Sequence, residues 1–127
     1  MSETDINRSA KAWKKSAHHG AGEWLAERGT SLVLIPLTLW AMWAACQIVG
    51  GGYDAAIAFA KVPLNAGIIA FAMLIAAWHM YMGVKVIIDD YIGKPSTRGI
   101  LLFLTFVLSA GALVATAGAL WIVHQAA

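Results

Sequence analysis

The sequence predicts an all-α integral membrane protein: three transmembrane helices with a polar cytoplasmic N-terminal arm. Three observations carry that prediction. The 127-residue chain is 60% hydrophobic and only 13% charged, with mean hydropathy +0.69, where soluble domains carry about 25% charged residues. Its apolar residues gather into runs at about Thr30–Gly50, Leu64–Ile88 and Gly99–Val123, each reaching the ~20 residues that a bilayer core requires. Its cations lie on one side of those runs. Arg8, Lys11, Lys14, Lys15 and Arg28 precede the first run, and Lys94 and Arg98 separate the second from the third. The connection between the first two offers only Lys61, with Asp54 nearby. The positive-inside rule then places the N-terminus and second loop in the cytoplasm, and the first loop and C-terminus outside.

Residues 1–28 read as the cytoplasmic arm and residues 29–127 as a three-helix anchor domain. The arm lacks the apolar core and small-residue cleavage site of a secretory signal, and the early acids Glu3 and Asp5 do not suit a mitochondrial transit peptide. The expected location is a bacterial inner membrane. Residues 1–20 are polar and basic without a clear period, which suggests a segment at the membrane surface. Trp24 then suits an interfacial anchor.

The first span contains Pro36, which should kink it or sit where a neighbour replaces the lost hydrogen bond. Trp40 and Trp43 share one face and are expected to pack on another helix. Gly50-Gly51-Gly52 ends the span. In the first loop Ala56, Ile57, Phe59 and Ala60 recur at helical spacing, predicting a short surface helix that stops before Pro63. The second span carries Trp78, His79, Tyr81, Gly83 and Lys85, and Gly93 and Pro95 break the chain after it. On the third span Gly111, Ala115 and Gly118 make a small-residue stripe that would let a neighbouring helix approach closely. Cys46, the only cysteine, is expected to be a small buried apolar side chain. One thiolate cannot hold an iron–sulfur cluster or a zinc site.

His79 and the pair Asp90-Tyr91 are the residues that chemistry would use. A helix turns about 100° and rises about 1.5 Å per residue. His79 and Asp90 therefore share a face, one deep in the bilayer and the other roughly 16 Å away at its edge. Ionisable groups at such depth are costly and mark functional sites. A membrane-buried imidazole is a natural axial ligand for haem iron, against the alternative of a satisfied structural histidine. Gly83, one turn on, leaves room for a flat macrocycle. If the iron is six-coordinate, its other ligand must come from another subunit. His124, at the far end of the third span, is a weak candidate. An acid and a phenol at the membrane edge can hydrogen-bond a small polar head group that needs protons. Asp89 reads as a solvated helix terminus. Two adjacent acids at a helix C-terminus oppose its dipole and call for compensation by Lys94, Arg98 or a partner's arginine. Arg28 either snorkels to the head groups or offers its guanidinium fork to haem propionates.

The pattern His79…Asp90-Tyr91 followed by Lys94-Pro95 and Arg98, with a polar arm and Arg28-Gly29-Thr30-Ser31 opening the first span, resembles the small hydrophobic membrane anchors of bacterial succinate dehydrogenases. The resemblance covers nearly the whole chain. It implies a haem b held between two anchor subunits, with His79 as one axial ligand and Arg28 near the propionates. It also implies ubiquinone as substrate, hydrogen-bonded by Tyr91 in a pocket that Asp90 helps to organise. The implied partners are a flavoprotein subunit, an iron–sulfur subunit and a second, cytochrome b anchor in the same bilayer. No nucleic acid partner is expected. The chain departs from the pattern in having Gly22-Glu23-Trp24 where many relatives place a histidine shortly before the arginine. His18 and His19 lie further upstream and receive no role. A quinol:fumarate reductase anchor would share this architecture. A small homo-oligomeric transporter or channel with His79 and Asp90 on a proton path is the reading from another class.

Overall fold

A computed structural model describes the backbone of residues 3–126 and the side chains of Glu3 and residues 20–126. Four helices follow one another: α1 (Glu3–Ile48), α2 (Gly52–Lys61), α3 (Pro63–Tyr91) and α4 (Pro95–Gln125). Three segments are long and apolar enough to cross a membrane, Gly20–Ile48, Pro63–Tyr91 and Pro95–Gln125. The second and third contain the predicted runs and extend beyond both ends of each, whereas the first begins well before Thr30 and stops at Ile48, short of the predicted Gly50. The short surface helix predicted before Pro63 is α2.

Local sequence explains the helix boundaries. Pro63 and Pro95 each occupy the first turn of a helix, where the missing N–H has no partner to lose. Val62 and Lys94 before them are extended, at ψ 119° and 116°, as the proline ring requires of its predecessor. Gly50 takes φ 93° and Gly52 φ 61°, and these left-handed residues turn the chain from α1 into α2. Pro36 does not end α1, which continues to Ile48.

The N-terminal side differs from the expectation of an aperiodic surface segment. The backbone is helical from Glu3, and α1 runs unbroken through Arg28, so arm and span share one helix. The side chains of Arg8, Lys11, Lys14, Lys15, His18 and His19 lie outside the described residues.

Helix α3 is central. It packs along α4 and α1, while α2 touches all three of the others. Trp40 and Trp43 of α1 meet Phe59 of α2 at ring-centroid distances of 5.9 and 6.0 Å, the helix-packing role expected of them. Lys61 at the end of α2 donates to the Ala126 carbonyl (2.8 Å), which ties α2 to the last turn of α4.

Very few of the described residues are buried: Ala44, Ala77, Ile88, Thr105 and Ser109. Large apolar side chains such as Leu32, Leu39, Phe103, Leu108 and Trp121 face outward. In water such a surface would drive aggregation; in a bilayer it contacts lipid tails or another apolar chain. The stripe of Gly111, Ala115 and Gly118 is also exposed, and a β-carbon at either glycine would meet nothing within 4 Å. Among the described residues no helix packs on it, because α4 meets its neighbour through the face bearing Thr105 and Ser109. Cys46 is exposed rather than buried, because α1 lacks a second apolar neighbour on that side.

Candidate functional site

Helix α3 has 29 residues, about 44 Å at 1.5 Å each, against roughly 30 Å of hydrocarbon. The helix is thus longer than the hydrocarbon core, and His79 lies about 18 Å back from its last residue along the axis. At that depth α1 brings Thr30 opposite. Thr30 Oγ1 lies 2.9 Å from His79 Nδ1, and 2.8 and 3.0 Å from the carbonyl oxygens of Ala26 and Glu27. The half-buried imidazole is thus tied to α1 by one nitrogen. Its Nε2 has no protein partner among the described residues. One turn on, a β-carbon at Gly83 would meet nothing within 4 Å, so the surface beyond the ring is open, as the approach of a flat macrocycle requires.

Towards the end of α3 the charges form a chain that sequence reasoning missed. Lys85 Nζ donates to Glu23 Oε1 of α1 (3.1 Å) and pairs with Asp89 Oδ2 (3.2 Å). Arg98 Nε of α4 stands 2.7 Å from Asp89 Oδ1, an ion pair in which the N–H points off the oxygen. Asp89 is therefore not a solvated terminus: its side chain is 25% exposed and ionically held on both oxygens. Of the compensating cations expected, Arg98 is present and Lys94 makes no ion pair among the described residues. The Lys85–Asp89 half was legible as an i,i+4 pair. Glu23, 62 residues from Lys85, left no local signal.

This network joins the start of the α1 span, the end of α3 and the start of α4. Replacing Asp89 with asparagine should lower the stability of the detergent-solubilised protein by about 1–3 kcal/mol, between the ~1 kcal/mol ceiling of exposed pairs and the ~3–5 kcal/mol of buried ones. Glu23, whose side chain is 63% exposed, should cost below ~1 kcal/mol as Glu23→Gln. Thermal unfolding of both variants checks this; equal losses would mean that burial of Asp89 does not set its worth.

Asp90 and Tyr91 behave differently. Asp90 is exposed, as is Tyr91 at 81%, and neither makes a side-chain hydrogen bond or ion pair among the described residues. With Asp89 absorbing the nearby cations, Asp90 and the Tyr91 phenol are left to other partners. Arg28 is exposed, with its guanidinium carbon 5.5 Å from the centroid of the Trp24 ring, a cation–π distance. That contact steadies the side chain without using its hydrogen-bond donors. Arg28 has no carboxylate partner among the described residues. His124 spends Nδ1 on the Leu120 carbonyl (2.9 Å), at the opposite end of the molecule from Tyr91.

A groove of about 800 Å³ runs beside this end of α1 and α3, lined by Glu23, Trp24, Glu27, Trp78, Tyr81 and Lys85 among others. None of His79, Arg28, Asp90 and Tyr91 lines it. The fold brings His79 to Thr30, but it does not gather the four predicted site residues into one cavity of this chain. Among the described residues no cluster of three metal-ligating side chains occurs. A haem axial position asks only one imidazole of a chain.

Three spans, and ion pairs gathered at one end of them, define a multi-pass membrane protein. Over residues 2–123 the sequence matches the model of the succinate dehydrogenase/fumarate reductase transmembrane subunit family, and the chain belongs to that family. It is similar to three proteins named succinate dehydrogenase hydrophobic membrane anchor subunit. Against that of Rickettsia bellii (strain RML369-C) it is 27% identical over 100 residues, covering 79% of this chain and 80% of the relative. Against that of Rickettsia typhi (strain ATCC VR-144 / Wilmington) it is 26% identical over 98 residues, covering 77% and 75%. Against that of Rickettsia conorii (strain ATCC VR-613 / Malish 7) it is 24% identical over 107 residues, covering 84% and 85%. No solved structure matches the chain.

Proposed function

We propose that this chain is an anchor subunit of succinate:quinone oxidoreductase. In that role it tethers a flavoprotein and an iron–sulfur subunit to a bacterial inner membrane, shares haem b with a second anchor, and helps to form the site of ubiquinone reduction. The observation that carries the reading is His79: one imidazole inside the span of a family-matched anchor, tied through Nδ1, with Nε2 uncommitted and open space beside Gly83. When bound, the haem supplies one-electron chemistry, and the flavin and iron–sulfur clusters belong to partners, since this chain has one cysteine.

The chain's own residues bind and orient. His79 offers Nε2 as an axial ligand. Arg28, steadied on Trp24, sits two residues from Thr30 on α1, about 3 Å nearer the Tyr91 end, where its fork can meet propionate carboxylates. At the C-terminal end of α3 the Tyr91 O–H donates to a quinone oxygen. Asp90, free of the ion pairs that hold Asp89, organises that pocket and its protons. The exposed apolar faces of α1 and α4 receive the second anchor and lipid.

The test is purification of the native assembly through a tag on this chain. A flavoprotein, an iron–sulfur protein and a second anchor should accompany it, with a haem b absorption band. A colourless protein that purifies only with copies of itself would overturn the reading and favour the transporter class. Rates of succinate oxidation and fumarate reduction by the same assembly measure the direction of flux. Reporter fusions should place Lys94 in the cytoplasm and Gln125 in the periplasm, following the lysine and arginine bias. A cytoplasmic Gln125 would separate Tyr91 from the cytoplasmic side and remove the quinone site as drawn.

A further inference from the structure

The three contacts of Thr30 Oγ1 fix where the protons of His79 are. A threonine hydroxyl has one hydrogen and two acceptor positions. Two of its neighbours, the carbonyl oxygens of Ala26 and Glu27 at 2.8 and 3.0 Å, can only accept. The hydroxyl hydrogen points to them, because turning it towards the imidazole would leave Oγ1 facing two acceptor oxygens at hydrogen-bond distance with no hydrogen between. The remaining contact, 2.9 Å to His79 Nδ1, is then satisfied in one way only: Nδ1–H donates to Oγ1. The neutral ring consequently carries its lone pair on Nε2.

We infer that Thr30 is a positioning residue for the metal-ligating imidazole, selecting its tautomer and ring orientation and raising the donor strength of Nε2. The inference rests on the reading of His79 as an axial ligand, and adds which atom ligates and what holds it there. Ligating histidines act with their second nitrogen hydrogen-bonded, usually to a carboxylate, carbonyl or water, and the partner sets both tautomer and basicity. Here the device spans two helices. The threonine is itself oriented by the α1 backbone, so the register of α1 against α3 is written into the ligand. A hydroxyl acceptor is neutral, which lets it sit at this depth without the cost of a buried carboxylate.

The experiment uses the complete membrane complex carrying Thr30→Val, Thr30→Ser or His79→Ala. Valine keeps the branched shape of threonine and removes the hydroxyl. Three readouts are taken: the haem b absorption spectrum, the rate of haem transfer to an excess of apomyoglobin, and the haem midpoint potential. Thr30→Val should keep a low-spin band but release haem about 10–100-fold faster, the usual cost of losing such a partner. Its potential should become more positive, because a less basic imidazole stabilises the ferric iron less; a tenfold loss confined to the ferric form is about 59 mV. Thr30→Ser keeps the hydroxyl and should match the native complex. Should Thr30→Val fail to assemble, Thr30→Ala carries the same expectation. Native transfer rate and potential in Thr30→Val, or a Thr30→Ser complex as altered as the valine one, overturns the inference. His79→Ala separates the two levels: an unchanged low-spin haem in that variant defeats the ligand reading itself, whereas its loss beside a native-like Thr30→Val defeats only the role of Thr30.

Discussion

Replacing His79 with alanine should remove the low-spin haem b spectrum from the assembled complex. The ring is the one imidazole that the chain places deep within a span, about 18 Å from the end of α3, and its Nε2 is free of protein partners among the described residues. Alanine deletes the axial bond and leaves the Thr30 hydroxyl without its donor. It also opens a cavity beside Gly83, which already lacks a side chain. The second anchor would still present its own ligand, so the expected residue is a five-coordinate, high-spin haem or none. Absorption and electron paramagnetic resonance spectra of the purified complex distinguish these from the native state. The other polar ties between segments among the described residues, Glu23–Lys85, Asp89–Arg98, Lys61–Ala126 and Asn65–Phe59, do not involve His79, so the subunits should still assemble. A native low-spin spectrum in His79→Ala would remove the ligand assignment and everything built on it.

Tyr91→Phe should slow quinone turnover more than it weakens quinone binding. The phenol sits on the last residue of α3, is 81% exposed, and has no partner among the described residues. Phenylalanine retains the ring and deletes only the donor. Charge builds on the quinone oxygen as it is reduced, so a hydrogen bond to it strengthens along the reaction and contributes to rate rather than affinity. Donors of this kind are worth about 2.7–4 kcal/mol in enclosed sites. At a partly hydrated membrane edge the fall should be smaller, about tenfold to a hundredfold. Succinate oxidation by an artificial acceptor that draws electrons from the soluble subunits should survive unchanged. Both activities are measured on one preparation. Native ubiquinone reduction, or a parallel fall in both, would exclude Tyr91 as the donor.

The three spans, the short helix before Pro63 and the isolation of His79 are all legible in the residues alone. Each depends on an interaction within one segment. An apolar run of ~20 residues must satisfy its backbone hydrogen bonds internally once it enters hydrocarbon, and the helix does so without help from its neighbours. Pro63 and Pro95 open helices for an equally local reason, the fixed φ and missing N–H of the ring. The pairings of charge and hydroxyl come instead from packing between helices. Thr30 stands 49 residues from His79, and Glu23 stands 62 from Lys85, and no helical period relates positions on different helices. Asp89 and Asp90 are adjacent acids in the sequence, equivalent by composition and by dipole. The i,i+4 spacing within α3 offers Lys85 to the first, only the packing of α4 against α3 adds Arg98 to it, and the second is left free because consecutive side chains on a helix point about 100° apart.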